Sequence, residues 1–164
     1  MNMIAAVDKN WGIGRDNGLL DHIPEDMKFF RETTKGKAVI MGRKTFLSFP
    51  NQKPLPNRLN IVLTHDESFC PEGVVVVDSI EKAIEKAREE YSDDDIFVIG
   101  GESIYFAMEK LCKRAYITKI DNEYDAEKFF PCLDEKDEWK VKHKEMLKTE
   151  KGLWLTFVTY EKES

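Results

Sequence analysis

Cysteine is scarce in this chain, and long apolar runs are absent. The three cysteines, Cys70, Cys112 and Cys132, show no CxxC spacing, which argues against a disulfide framework and for a reducing compartment. We expect three unpaired thiols and a cytoplasmic protein. The longest apolar run near the start, Met3 to Val7, is too short for a signal-peptide core or a membrane span. The formal net charge is −6 and no Lys/Arg stripe interrupts it, so nucleic acid and membranes are poor candidates as main partners. His22, His65 and His143 lack metal-ligand spacing, and no Ser/His/Asp or Cys/His arrangement can be read. Repeats, low-complexity blocks and Ser/Gly linkers are also missing. At 164 residues the expectation is one domain over residues 1–164, with nothing that calls for an obligate oligomer.

What is there is an alternation of short apolar runs with helical patterns, the mark of an α/β layer architecture. Met3–Val7 reads as a strand, followed by a Gly/Asn/Asp-rich loop from Asp8 to Ile23. Pro24 suits the first turn of a helix that Gly36 ends. Ala38–Met41, Leu59–Leu63, Val74–Val77, "DIFVIGG" and Ala115–Ile120 read as strands. Helices are expected over Lys44–Phe49, over the stretch from Ile80 with Asp78 or Ser79 as N-cap, and around Ile104, Met108 and Leu111. "EWKVKHKEML" and "GLWLTFVTYE" look like an antiparallel pair at a sheet edge. The spacing therefore predicts a three-layer sandwich: a mixed, mostly parallel sheet of about eight strands, helices on both faces and a C-terminal antiparallel hairpin. Ligands of such sheets bind beyond the carboxyl ends of the strands.

Three stretches lie there. In "VIMGRKT" a strand stops at Gly42, and Arg43, Lys44 and Thr45 open the next helix. Free N–H groups, two cations and a hydroxyl suit a phosphate; a glycine turn with two solvated basic residues fits the spacing equally well. "VIGGESIY" again runs strand, glycines, helix. It is neither GxGxxG nor a P-loop, and a tight turn explains it alone, but one dinucleotide could span both turns. In "GLLDHIPED" Asp26 falls in a helix first turn, where the macrodipole favours negative charge. It also shares a face with Phe30 at i+4, beside Met27. A carboxylate on an apolar face needs a partner, such as a flat, cationic or amidine-like heterocycle. Arg58 could clamp a carboxylate or simply be solvated, Thr118 could be an ordinary strand residue, and Trp11 a loop hydrophobe.

Taken together, "IAAVDKNWGIG", "IPEDMKFF", "VIMGRKTFLSF", "PLPNRLNIVLT", "VIGGESIY" and "YITKID…FFP" resemble dihydrofolate reductase of the bacterial chromosomal type, in order from about residue 3 to 131. The resemblance implies NADPH-dependent reduction of 7,8-dihydrofolate to tetrahydrofolate for one-carbon metabolism. Hydride would pass to pterin C6 and N5 would gain a proton. Asp26 matches the family's acidic residue in the pterin pocket, binding the 2-amino group and N3, with Thr118 as hydrogen-bond partner. Ile4 and Ile99 would offer carbonyls to the pterin, with Ala5 and Tyr105 beside it. Met27, Phe30, Phe49 and Leu55 would line the walls, and Arg58 would grip the glutamate α-carboxylate. For NADPH the resemblance implies Gly42, Arg43, Lys44 and Thr45, then Leu63, Thr64 and His65 near the 2′-phosphate. Gly100, Gly101, Glu102, Ser103, Ile104 and Tyr105 would meet the pyrophosphate and nicotinamide, and Ala6, Ile13 and Gly14 the nicotinamide amide. The Gly–Gly bond is cis in the family, and residues from Asp8 to Ile23 correspond to its mobile lid.

Three departures from the family pattern stand out. The lid reads Leu19-Leu20-Asp21-His22-Ile23-Pro24-Glu25-Asp26, with Asp21 where the family has tryptophan. Ala126-Glu127 replaces the usual Gly-Asp, which puts the loop–loop hydrogen bonding in doubt, and Glu102 follows the glycine pair where glycine is common. One expectation is that Asp21 sets a second negative charge near Asp26 and raises the apparent pKa of the catalytic step; the other is that it points into solvent. Other readings of the chain are a pterin or pyrimidine reductase like those of the riboflavin pathway, or a nucleotide-binding module without catalysis.

Overall fold

The structure, a computed structural model, describes residues 1–15, 18–19 and 21–162, with the backbone alone at Gly18 and Leu19. In chain order the strands are β1 (Asn2–Val7), β2 (Gly12–Arg15), β3 (Gly18–Leu19), β4 (Ala38–Gly42), β5 (Leu59–Leu63), β6 (Val75–Val77), β7 (Ile96–Gly100), β8 (Arg114–Ile120), β9 (Lys128–Phe129), β10 (Trp139–Lys148) and β11 (Trp154–Lys162). The helices are α1 (Pro24–Thr34), α2 (Arg43–Leu47), α3 (Ile80–Arg88) and α4 (Glu102–Met108).

Eight strands form one sheet in the order β10-β11-β8-β1-β7-β4-β5-β6. From β8 to β6 every pairing is parallel, and β11 runs antiparallel to both β8 and β10. The strands read as unbroken apolar runs because both faces are covered. Alternation then divides them: Met3, Ala38, Ile40, Ile61 and Val98 face one side, where α3 and α4 bring Ala83, Ala87, Ile104 and Met108. Ile4, Val39, Met41, Val62 and Phe97 face the other, where α1 and α2 bring Phe29, Phe30 and Phe46. Each fully buried Ile, Val, Met or Phe among them contributes about 1.5–3 kcal/mol, so the two clusters fix which strand ends lie together.

The local signals act where the sequence puts them. Pro24 occupies the first turn of α1. Gly36, at φ +76°, turns the chain after it and donates to the Asn57 carbonyl at 2.8 Å. Ser79 is the cap of α3, accepting from Lys82 N at 3.1 Å. All three cysteines are free. Among the described residues no helix is long and apolar enough to cross a membrane.

The expected loop from Asp8 to Ile23 needs correction. Its described part contains β2 and β3, and β2 pairs with both β3 and β9 in a second sheet of order β3-β2-β9. Strands of two to four residues rich in glycine carry no period-2 pattern, and the partner strand comes from more than a hundred residues away. Leu20, part of the expected lid, lies outside the described residues. At the opposite end of the main sheet, β10 is exposed at every position except Trp139, carries Lys140, Lys142, Lys144 and Lys148, and bulges between Val141 and His143.

Candidate active site

The first turn of α1 lies over the carboxyl ends of β1 and β8. Asp26 projects from it, half-buried, and its carboxylate is hydrogen-bonded to the buried Thr118 hydroxyl. In the strand register Thr118 lies between Ala6 and Phe157. Burial pushes the Asp26 carboxyl above its ordinary value, and the Thr118 bond pulls partly back. Tyr105 donates its hydroxyl to the Ile4 carbonyl at 2.7 Å. Burial first, and then the Asp26 charge, push this phenol's pKa up, which keeps it a neutral donor. Ile4, Ile99, Phe30, Phe49 and Leu55 belong to one apolar cluster, while Met27 is half-buried on α1. The result is a carboxyl group set against apolar walls.

Arg58 is fixed rather than solvated. Its Nε donates to Thr34 Oγ1 at 2.8 Å, Nη1 to the Pro56 carbonyl at 2.7 Å and Nη2 to the Arg31 carbonyl at 3.0 Å. Burial, then the neighbouring Arg31, lower its pKa. Three of a guanidinium's five N–H groups are spent on the scaffold, so the side chain is aimed before any ligand arrives. The sequence reading missed Asn60, which holds this loop. It accepts from Leu55 N at 3.0 Å and donates to the carbonyls of Leu55 at 2.9 Å and Arg58 at 3.1 Å. A polar residue inside an otherwise apolar strand was the available signal.

The second half of the groove lies beyond β4, β5 and β7. Gly100 has φ +126° and the Gly100–Gly101 peptide is cis. A Cβ at either glycine would sit 3.5 Å from Thr45 Oγ1, so α2 and this turn are in close contact. Gly42 faces Ile104 similarly, at 3.3 Å from a Cβ placed on it. Glu102 opens α4 with its carboxylate turned away along the surface, accepting from Phe129 N of β9 at 2.7 Å. Further out, a cavity of about 660 Å³ is lined by Thr64, His65, Asp66, Val77, Lys82 and Lys86, among others. Arg43 stands at its edge, 3.9 Å from Asp66. Among the described residues no cluster of three or more His, Cys, Asp or Glu side chains could hold a metal ion.

Asp21 is exposed and turned toward the segment before β9. Its Oδ1 accepts from His22 N at 2.7 Å and its Oδ2 from the Tyr124 hydroxyl at 2.7 Å. Asp21 is not among the causes that shift Asp26; burial is the largest. The expected like-charge effect is therefore corrected: desolvation does that work. The loop–loop bonding put in doubt by Ala126-Glu127 is present through the main chain, with Glu127 N donating to Gly14 O at 2.8 Å and Phe130 N to Trp11 O at 2.9 Å. Gly12 is required there, since a Cβ on it would collide with Ala126 Cβ. The buried Asp8 carboxylate gathers the turn, accepting from Asn10, Gly12 and Tyr124 N–H groups at 2.8–3.0 Å. Trp11 is no loose loop residue, because it stacks on Phe130 with ring centroids 6.1 Å apart. Ile13 packs against the same core, Ala5 sits opposite Ile117 in the register, and Gly14 is buried in β2.

The family model for dihydrofolate reductase matches residues 1–162. The chain belongs to the dihydrofolate reductase family. Dihydrofolate reductase of Bacillus subtilis is 37% identical over all of this chain and 95% of its own length. That of Haemophilus influenzae is 40% identical over 91% of this chain and 89% of its own. A solved dihydrofolate reductase from Enterococcus faecalis, complexed with NADP(H) and RAB-propyl, superposes with a TM-score of 0.89 at 30% identity. It covers 99% of this chain, and this chain covers 96% of it. Within the family frame, Asp26, Thr118 and Tyr105 converge at one end of the groove, and Arg43, Thr64 and His65 gather at the other.

Proposed function

We propose that this protein reduces 7,8-dihydrofolate to 5,6,7,8-tetrahydrofolate with NADPH, as one domain over residues 1–164, monomeric and cytoplasmic. The observation that carries the reading is the half-buried Asp26 bonded to Thr118 beneath apolar walls. A carboxylate so placed is costly without a ligand of matching polarity, and the N3 and 2-amino edge of a pterin supplies two donors side by side. The charge of Asp26 at that edge increases electron density in the ring, and so the hold of N5 on the proton it must gain. Ile4 and Ile99 line the pterin through their carbonyls and Ala5 and Met27 through their side chains. Ile4 O also holds the Tyr105 hydroxyl in place. Arg58 takes the glutamate carboxylate with the N–H groups its scaffold bonds leave over.

The groove fits a dinucleotide. The turn at Gly100 and Gly101 has no side chain to block close approach, Thr45 stands 3.5 Å from where one would be, and the outer cavity has room for a nucleoside. When bound, NADPH supplies the hydride delivered to pterin C6. Gly42, Arg43, Lys44 and Thr45 hold phosphate, Leu63, Thr64 and His65 the adenosine end, and Ser103, Ile104 and the Glu102 backbone the turn. Ala6, Ile13 and Gly14 would border the nicotinamide amide, where the small sheet would help to exclude water. The test is spectrophotometric: NADPH is consumed only when dihydrofolate is present. Binding of NADPH with no turnover on any pterin would reduce the protein to a nucleotide-binding module.

A further inference from the structure

The outer cavity carries a charge arrangement that a site built only to attract an anion would not have. Its rim cations are already occupied. Arg43 faces Asp66 at 3.9 Å, Lys82 faces Asp78 at 2.9 Å and Lys86 faces Glu89 at 3.8 Å. The Arg43 partner differs from the other two, which are neighbours along one helix or its entry. Asp66 comes from the turn after β5 and is held there. Its Oδ1 accepts from Ser68 N at 3.0 Å and from Ser68 Oγ at 2.6 Å, and its own N–H donates to Thr64 Oγ1 at 3.1 Å. The Ser68 bonds hold Oδ1, which leaves Oδ2 directed at Arg43. The same bonds favour the ionised carboxylate.

We propose that Asp66 is a specificity-determining residue, which competes with the 2′-phosphate of NADPH for Arg43 and so narrows the preference for NADPH over NADH. The inference rests on the reading that this cavity takes the adenosine end of the cofactor. A 2′-phosphate engaging Arg43 must come within a few ångströms of a fixed carboxylate, and the repulsion falls on the phosphorylated cofactor alone. NADH presents a neutral 2′-hydroxyl, which a carboxylate accepts from.

The experiment measures KM and direct binding for both cofactors in wild type, Asp66→Asn and Asp66→Ser, the second keeping a short acceptor for the turn. Asn should lower the KM for NADPH by about three- to tenfold, with the NADH value moving by less than about twofold. Dissociation constants for NADP⁺ and NAD⁺ should separate in the same way. At about 1 M salt, where screening acts within ~3 Å, the difference between variant and wild type should largely vanish. If both cofactors shift together, or the ratio stays fixed, Asp66 serves only its turn and the proposal is wrong. Wild type that consumes no NADPH with dihydrofolate would instead overturn the reading of the site itself.

Discussion

The two ends of the groove control charge by opposite means. The Asp26 carboxyl sits against apolar walls, and its protonation is set chiefly by the loss of water, with Thr118 as counterweight. Around Arg43 and Asp66 the charges are several, about two-fifths exposed or more, and held in ion pairs. The first arrangement gives a property of one residue that salt hardly touches; the second gives a property of a network that salt dissolves. A reaction that protonates a ring needs the first. Binding a highly charged cofactor that must later leave needs the second.

Replacing the carboxylate should break that contrast most severely. Asp26→Asn is expected to lower dihydrofolate turnover by about 10²–10⁴-fold, with NADPH affinity little changed, measured by single-turnover kinetics and direct binding. The same variant should be more stable than wild type near neutral pH. Between its ordinary 3.8 and its raised folded value, the folded chain holds a proton on Asp26 that the unfolded chain has lost. Stability therefore falls as pH rises through that window. Asparagine removes the cost above the window and changes nothing below it, which thermal unfolding at several pH values would reveal. Stability curves that run parallel across pH would contradict this.

Arg58→Lys comes next. Lysine cannot keep the three scaffold bonds and still present a fork, so KM for dihydrofolate should rise about 10–100-fold while NADPH binding holds. Thr118→Val should move the Asp26 carboxyl further upward by removing the one bond that lowers it; a carboxyl-resolved NMR titration reads the shift directly. An unmoved midpoint would mean that the hydroxyl contributes nothing to the site. Asp21→Asn and Tyr124→Phe should have the smallest effect. They lose one exposed hydrogen bond, worth about 0.5–1.5 kcal/mol, and leave the Asp26 midpoint where it was. A midpoint that followed Asp21 would restore the like-charge account.

The sequence made the parallel sheet legible because its strands are buried on both faces and read as apolar runs. The helices were legible from their spacing and from Pro24, Gly36 and Ser79. Asp26 stood out because Phe30 shares its face. What stayed hidden depends on partners distant in the chain. Tyr124 meets Asp21 across 103 residues and Asp8 across 116, and no local pattern announces either. Trp11 looked loose because its aromatic partners, Phe130 and Tyr160, lie far downstream. The small sheet pairs short, glycine-containing strands with Lys128 and Phe129 through backbone bonds, and composition presents those glycines as a loop. Arg58 looked solvated for a similar reason, since two of its partners are backbone carbonyls, which no residue type betrays.

An open sheet must end somewhere, and each end exposes a row of N–H and C=O groups ready to accept another strand. At one end this protein gives that row only three residues, Val75 to Val77. At the other it offers ten, Trp139 to Lys148. Two copies meeting edge to edge along β10 would bring Lys140, Lys142, Lys144 and Lys148 against their own images, across a bulge that spoils the ladder. In a chain of net negative charge, this local excess of lysine disfavours such a pairing.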